Sequence, residues 1–411
     1  MHRICVVVCA LAWQSLAWAQ SASFGGEIRE TWERFHNDFG SSPADTDGYL
    51  LQRYLLHADL HLGDHLRTFV ELQSGLENGR VGGPRPVIDE DKLDVNQAFV
   101  EISFKRAVLR AGRQEIQLGS GRLLARREGT NTLMSFDGAR LMLSTAAWHL
   151  DLFATRPVLI NPGFFDDAPD HARGFWGVYA TRRVPGGNLD LYYLGLDRKR
   201  ATFDQGTAHE LRHTFGARFW GAAKAWSYDA ESMYQSGRFG AGTISAWRIA
   251  SDTYYDFKQV PLSPRAGLKF DVSSGDRNRA NPDLQTFNAL FQSGLYTGKA
   301  GLLGPDNTID LEPSFGLRLR RDLSLKGGWG FYWRQSAQDG LYTVSGNLWR
   351  SGRLNENRYE GNRPIVEILW QVNKQLSVQS QFTYVFVGPF GHTPPYIADV
   401  SYVAAWVTYR F

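Results

Sequence analysis

The chain has 411 residues, of which 43% are hydrophobic, 13% aromatic and 21% charged, with a formal net charge of +3. This charge balance excludes the basic surface of a nucleic-acid-binding protein, and the apolar content excludes a disordered chain. The length allows two or three soluble domains or one large all-β domain. With 13 Trp, 17 Tyr, 25 Phe and 42 Gly, the composition favours strands and turns over helices.

The first 19 residues have the pattern of a signal peptide. Arg3 gives a positive start, residues 4–12 are apolar, and Ala17-Trp18-Ala19 is a small-residue cleavage site. The alternative is a buried N-terminal helix. The sequence therefore predicts a signal peptide at 1–19 and a mature chain at 20–411.

The mature chain is predicted to be one exported domain. Cys5 and Cys9, the two cysteines, fall inside the leader, and an exported protein without disulfides fits a bacterial envelope. No later stretch reaches the ~18 apolar residues that a transmembrane helix needs, which excludes a helical membrane protein. A β-barrel remains possible, because its lipid face uses only every second residue.

Apolar and polar residues alternate with period two along most of the chain, as at 97–104 and again at 403–411. This alternation indicates strands with one apolar and one polar face. About eighteen such segments begin near Phe24, Tyr49, Leu66, Leu93, Ala107, Phe136, Trp148, Gly174, Leu189, Leu211, Ala225, Ile244, Arg265, Leu311, Ser324, Pro364, Leu376 and Val400.

The connections between these segments alternate in length. Short ones occur at 63–65, 105–106, 185–187, 321–322 and 373–374, and long ones at 75–91, 116–133, 157–173, 274–310 and 337–363. Tight turns at one rim and long loops at the other are typical of outer-membrane barrels, and about eighteen strands enclose an aqueous lumen. The sequence predicts an all-β fold, a transmembrane antiparallel β-barrel with short periplasmic turns and long extracellular loops.

Several motifs resemble the alginate export family. They are Arg113-Gln114-Glu115-Ile116, Gly119, Arg122-Leu123, Arg127-Glu128, Ser135 to Leu141 with Asp137-Gly138, Ser274-Gly275-Asp276, Phe331-Tyr332-Trp333-Arg334 and Tyr402 to Phe411. One departure is Gly129, which follows Glu128 where the family often has Trp. The resemblance implies a barrel in the bacterial outer membrane and leaves the cargo open, since the family is broad.

The resemblance also implies partners. A final Phe411 resembles the signal read by the barrel-insertion machinery, and an outer-membrane protein contacts lipid and lipopolysaccharide. Periplasmic export partners are a further expectation, and no nucleic acid is expected.

Arginine outnumbers lysine, with 35 Arg and 9 Lys after position 19. A guanidinium pairs a carboxylate bidentately, so an arginine-lined lumen would suit a polyuronate; genome composition is the alternative explanation. Strand parity and the family motif select candidate lumen residues: Arg110, Arg140, Arg183, Arg212, Arg218 and Arg334. Arg113 has the wrong parity unless a bulge intervenes.

The connection 116–133 is a candidate constriction loop. It carries Arg122, Arg126 and Arg127, and folded into the barrel it would form a cationic constriction. The alternative is a surface loop that binds lipopolysaccharide phosphates, or nothing. By parity the acids Glu101, Asp151, Asp229 and Glu231 also face inward, either to orient a charged solute or to brace the wall.

Two apparent metal motifs have simpler explanations. His209-Glu210-Leu211-Arg212-His213 spells H-E-x-x-H, but its strand period would hold the two His ~13 Å apart, at ~3.3 Å per residue. We interpret it as a loop-to-strand boundary. In 274–310, Asp276, Asn278, Asn281, Asp283 and Asn288 could bind calcium, although turn formation explains them more simply. No other metal or cofactor is expected.

No nucleophile, phosphate-binding or dinucleotide motif occurs, so the sequence predicts a protein that is not an enzyme. The leading hypothesis is a passive outer-membrane conduit for an anionic polysaccharide such as alginate, or for a related anionic solute. The alternatives are a nutrient porin for small carboxylates or sugars, a structural barrel, and an outer-membrane enzyme for which His149 and Asp151 share a face.

Overall fold

The computed structural model describes residues 21–37, 48–81, 88–301 and 303–411. The predicted signal peptide and its cleavage site lie outside these ranges. Eighteen long strands dominate the fold: β1 (Ser21–His36), β2 (Gly48–Leu62), β3 (Leu66–Asn78), β4 (Asp91–Ser103), β5 (Ala107–Gln114), β6 (Phe136–Ser144), β7 (Trp148–Leu159), β8 (Arg173–Val184), β9 (Gly187–Phe203), β10 (Gly206–Ala223), β11 (Trp226–Phe239), β12 (Gly242–Asp256), β13 (Arg265–Ser273), β14 (Thr308–Arg318), β15 (Leu323–Arg334), β16 (Tyr359–Gln371), β17 (Leu376–Val387) and β18 (Val400–Arg410).

Each of these strands pairs antiparallel with the next one along the chain, and β18 pairs back onto β1, where Glu27 lies opposite Arg410. The sheet is therefore a closed barrel without an edge, the arrangement that satisfies every backbone group in lipid. The predicted eighteen-strand barrel is confirmed: seventeen of the predicted starts fall inside a strand, and Ala225 precedes β11 by one residue.

Within the described ranges, helix is confined to the short 3-10 turns Gly294–Thr297 and Gly352–Leu354, and no helix there is long and apolar enough to cross a membrane. The connections sort by rim as predicted, with three exceptions. At the long-loop rim the turns 204–205 and 240–241 have only two residues, and at the opposite, short-turn rim the connection 257–264 is longer than its neighbours.

Burial along the strands is inverted relative to a water-soluble protein. On β1, Phe24, Ile28 and Trp32 are exposed, at 65%, 39% and 42%, whereas Arg29 and Glu33 are 8% and 6% exposed. Because side chains alternate in a strand, the apolar set faces outward and the charged set inward. An apolar outer face and a polar inner face suit a barrel that crosses lipid.

Aromatic side chains gather on the outer face at the short-turn rim. Trp226 begins β11, Trp370 and Tyr409 lie near the ends of β16 and β18, and all three are more than one-third exposed. Rings of amphipathic aromatics mark the level where lipid headgroups meet water.

Two connections fold into the barrel: the inner loop, 115–135, and the long loop, 274–307. They are joined where the backbone N–H of Phe291 donates to Leu123 O (2.9 Å) and that of Ala125 donates to Phe291 O (3.0 Å). The Phe291 ring then packs edge-on against Phe136 and Phe175 of the wall. The loops therefore fill part of the interior with packed side chains.

Candidate functional site

Two cavities of about 810 and 700 Å³ lie in the interior formed by the described residues. Tyr254, Arg265, Lys326 and Glu367 line both, so the cavities adjoin each other. The wall comes mainly from β12 to β18, and the inner loop borders the larger cavity. We take these two adjoining cavities as the candidate pathway.

The pathway lining carries more positive than negative side chains. Its basic residues are Arg29, Arg126, Arg265, Lys269, Lys299, Arg318, Lys326, Arg363 and Arg410. Its acidic residues are Glu128, Asp229, Asp252, Asp256, Glu312 and Glu367. A low-dielectric wall around an excess of one sign concentrates solutes of the opposite sign.

The most accessible of these cations lie towards the short-turn rim. The Arg265 and Lys326 side chains are 44% and 42% exposed, with Arg265 3.7 Å from Asp256 and Lys326 3.2 Å from Glu367. Gly316 lies between them on β14, opposite both, so no side chain separates the two. Exposed pairs of this kind are weak and can exchange for a solute carboxylate.

The inner loop is anchored at one end by Glu128. Its carboxylate pairs with Arg29, Arg53 and Arg126, and the fully buried Arg53 also donates to Thr130 O (3.2 Å). Burial alone would raise the pKa of Glu128, but Arg53, Arg29 and Arg126 lower this pKa to about 2. The anchor is therefore ionised at every physiological pH.

The middle of the same loop is anchored by Arg122. Its guanidinium is fully buried and donates to Asp229 (2.7 Å) and Glu231 (2.8 Å) of β11 and to Asp252 (2.6 Å) of β12. Three carboxylates around one arginine hold the loop against the wall.

The predicted arginines Arg110, Arg140 and Arg218 face the interior but lie outside the two cavities. Arg110 is 2.5 Å from Glu101, Arg140 is 2.7 Å from Asp151, and Arg218 bridges neighbouring strands in the same way through Asp190 and Asp229. In this structure they brace the wall.

Two further predicted arginines hold loops. Arg212 is fully buried and donates to Glu210 (2.5 Å) and to Thr286 O of the long loop (3.1 Å). Arg334 is also fully buried and donates to the carbonyls of Asp339 (2.8 Å) and Asn355 (2.9 Å) in the connection 335–358.

The remaining predicted arginines, Arg126, Arg127 and Arg183, lie at different distances from the pathway. Arg126 lines the larger cavity, where it pairs with Glu115 (3.3 Å) and Glu128. Arg127 follows it with a backbone φ of 60°, and burial lowers the pKa of its guanidinium to about 10. Arg183 is exposed near the short-turn rim, outside both cavities.

The family motif Arg113-Gln114-Glu115 is part of a cross-strand cluster at the long-loop end of β5 and β6. Arg113 donates to both oxygens of Asp137 (2.9 and 3.1 Å), Gln114 is fully buried, and Glu115 accepts from Asn96 (2.8 Å). These contacts tie three strands and the start of the inner loop together.

Two glycines make this cluster possible. Gly112 and Gly138 lie opposite each other, and each would place an added Cβ 2.3 Å from a carbonyl oxygen of the adjacent strand. Gly112 also has a φ of 129°, which favours glycine.

The family motif Ser274-Gly275-Asp276 joins two loops. The Ser274 hydroxyl donates to Gln285 O (2.7 Å), the Gly275 N–H to Gln335 (3.1 Å), and the Asp276 N–H to Asp339 (2.8 Å). It therefore fastens the long loop to the connection 335–358.

The candidate calcium ligands of the long loop are engaged in local turns. Asp276, Asn278, Asn281 and Asn288 each accept a backbone N–H two residues on, and Asp283 accepts the N–H and hydroxyl of Thr243. These bonds favour turn formation over a cation site.

The H-E-x-x-H run lies wholly within β10 and not at a loop-to-strand boundary, because β10 begins at Gly206. His209 contacts Asp197 (2.7 Å), whereas His213 contacts Tyr193 (2.8 Å), so the two rings have separate partners. Glu210 is committed to Arg198 and Arg212. The run has the strand geometry expected from its period.

Asp306 predicts a pH effect on stability. It is almost fully buried in the long loop, accepts the Ala289 N–H (3.1 Å), and burial raises its pKa to about 7 despite that bond and nearby arginines. The folded state therefore binds the proton more tightly than the unfolded state, so stability is gained as pH falls through 7. Between pH 8 and 5.5 this single group contributes about 2 kcal/mol.

This effect is measured by urea unfolding of the wild type and Asp306→Asn across that pH range. The wild type should become more stable at pH 5.5, and the variant should lose about 2 kcal/mol of the pH dependence. Equal pH slopes in the two proteins would contradict the assignment.

Comparison with known proteins gives the following relatives. The model of the family described as "Alginate export" matches residues 20–395. No curated protein matches the chain.

Among solved structures, Pseudomonas aeruginosa OccK11 (OpdR) is similar at 14% identity and a TM-score of 0.60, covering 96% of this chain and 97% of that one. P. aeruginosa OccK2 (OpdF), solved in complex with glucuronate, has 13% identity and a TM-score of 0.61, with the same coverage. Acinetobacter baumannii OccAB1 has 11% identity and a TM-score of 0.65, again with the same coverage.

These structures share the fold of outer-membrane porins, which agrees with the closed barrel and its apolar outer face. Family and fold are of the channel type and not of an enzyme type. The family match covers nearly the whole chain, and the chain belongs to the alginate export family.

Proposed function

We propose that the protein is a passive outer-membrane conduit for an anionic polysaccharide of the alginate type or for a related anionic solute. The observation that carries this proposal is the lining of the pathway, with nine basic and six acidic side chains. Carboxylates of a polyuronate would exchange among Arg265, Arg318 and Lys326 without a covalent step. Such sites must bind strongly enough to admit the solute and weakly enough to release it.

The inner loop supports the same proposal. It narrows the interior beside the larger cavity and presents Arg126 to it. Its two anchors, at Arg122 and Glu128, keep it in place, so it would act as a fixed constriction. The sequence-based candidates Arg122 and Arg127 would then position the constriction while Arg126 contacts the solute.

A nutrient porin for small carboxylates is the second candidate function. It is favoured by the similarity to OccK2, which was solved with glucuronate, and to P. aeruginosa OpdK, which was solved with vanillate. The two functions share a preference for carboxylates and differ in the size and direction of the solute.

The proposed location is the bacterial outer membrane, with lipid and lipopolysaccharide around the apolar face. Phe411 is 52% exposed, and its backbone pairs with Gly26 of β1, beside the closing seam. This position leaves the terminal ring available to insertion machinery. Periplasmic export partners would meet the short-turn rim.

The test is the reversal potential of the purified barrel in a planar bilayer across a salt gradient, with polymannuronate, glucuronate or no addition. We expect anion selectivity and block by polymannuronate at concentrations where neutral dextran of equal length has no effect. Block by glucuronate alone would favour the nutrient porin. Cation selectivity would contradict both carboxylate functions.

A further inference from the structure

A cluster of carboxylates lies apart from the pathway, where the connection 160–172 crosses the top of β4. Asp91, Asp94 and Asp167 each place an oxygen within 4.8 Å of the others. Asp91 and Asp94 are buried, at 0% and 3% exposed, and Asp167 is half-buried.

Asp91 makes the cluster unusual. Neither of its oxygens has a hydrogen-bond partner among the described residues, although Gln73 lies beside it. A fully buried carboxylate without a donor is costly, and buried charges are normally paired or bound to a metal. Its oxygens point to a missing cationic partner.

The protein supplies little positive charge to this cluster. The nearest guanidinium, Arg113, is already bonded to both oxygens of Asp137 and is 3.7 Å from Asp94. Asp166 adds another carboxylate, and its Oδ1 is likewise buried and unpartnered within the described part of the chain.

The backbone holds the carboxylates in this arrangement. The N–H of Asp167 donates to Asp94 (2.9 Å), the N–H of Asn161 donates to Asp167 (2.7 Å), and the N–H of Phe165 donates to Leu93 O (2.9 Å). These bonds connect 160–172 to β4, and they hold the acidic side chains close together before any cation binds.

We propose that Asp91, Asp94 and Asp167 form a divalent-cation site, for calcium in preference to magnesium, that fastens the connection 160–172 to β4. Calcium accepts about six to eight oxygen ligands in a flexible geometry, whereas magnesium demands a near-ideal octahedron and usually keeps several waters. Asp166 and water would complete the larger coordination shell that calcium accepts.

The test uses full-length mature barrel refolded without lipopolysaccharide and freed of metal with EGTA, at pH 7.5. Calorimetric titration with CaCl₂ should show one site, and calcium should raise the melting temperature more than equal magnesium does. Asp91→Asn and Asp167→Asn should each weaken binding at least tenfold. The matched control is Asp64→Asn, in the exposed turn at the other rim, which should bind as the wild type does.

Folding of each variant is checked by the heat-dependent shift of barrels on denaturing gels. In EGTA, Asp91→Asn should be as stable as the wild type or more so, because it removes a buried carboxyl group that has no hydrogen-bond partner among the described residues. That result, with loss of the calcium response, supports the site. No calcium binding by the wild type, or unchanged binding in folded Asp91→Asn and Asp167→Asn, would overturn it.

Discussion

Replacing Arg122 with Met is expected to lower the free energy of unfolding by about 3–5 kcal/mol, since removing one partner of a buried ion pair leaves the other charge uncompensated. Here three acids lose their common partner at once: Asp229, Glu231 and Asp252. Asp229 retains Arg218, but Glu231 and Asp252 keep no arginine or lysine partner among the described side chains. Denaturant titration of the barrel in lipid vesicles measures the loss.

The matched control is Arg320→Met. Arg320 lies on the exposed turn 319–322, and its pair with Asp322 (3.2 Å) is 57% and 40% exposed. Exposed pairs contribute at most about 1 kcal/mol. A loss in Arg122→Met no larger than in this control would mean that the inner loop is not held by Arg122.

The Arg122→Met variant has a second measurable consequence. Without its middle anchor the inner loop can move out of the interior, so single-channel conductance should rise and become noisier. Arg320→Met should leave the conductance unchanged, because its side chain stacks on the outward-facing Trp370.

Reversing three cations of the pathway is expected to reverse its ion selectivity. The triple variant Arg265→Glu, Arg318→Glu and Lys326→Glu turns an excess of three positive charges in the lining into an excess of three negative charges. The reversal potential in a salt gradient should change sign. Block by polymannuronate should weaken at least tenfold, which corresponds to about 1.4 kcal/mol.

The control for this experiment is Arg320→Glu, which changes a charge at the same rim but outside both cavities. It should keep the selectivity of the wild type. If the folded triple variant also kept that selectivity, solutes would pass by another route, such as one beside Arg110 and Arg140, and the pathway assigned here would be wrong.

The barrel could be predicted from the sequence because the alternation of apolar and polar residues is visible within each single strand. A strand between lipid and water must alternate with period two, and Phe215 (51% exposed) beside the fully buried Thr214 shows how strictly it does. The sorting of connections by rim could also be predicted, because the length of each connection is counted along the sequence itself. The two-residue turns 204–205 and 240–241 escaped the prediction because no rule requires every loop of one rim to be long.

The accessible cations could not be predicted in this way. Parity tells whether an arginine points inward, but not whether it meets water or a loop. Arg212 points inward and is covered by Thr286 of a loop 74 residues away, whereas Arg265 points inward and remains open. The partners of Arg122 lie more than 100 residues from it in sequence, so no local pattern indicates them.

Lys326 is a second accessible cation that the sequence criterion does not select. It lies in the glycine-rich start of β15, and the criterion considers arginines alone. A useful signal would have been a basic residue flanked on the neighbouring strand by glycine, because Gly316 keeps the space beside Lys326 empty.

The closure of β18 onto β1 sets the order in which the chain can assemble. Every other strand pair joins neighbours in sequence, whereas the seam joins Arg410 to Glu27, 383 positions apart. The entropy lost on joining two ends grows with the length between them, by about 0.6 kcal/mol for each doubling. Hairpins therefore form first, and the seam can register only on a sheet that is already curved. Until that moment the molecule has two unpaired edges, so a helper that shields β1 and β18 would act on the slowest and most aggregation-prone stage of its biogenesis.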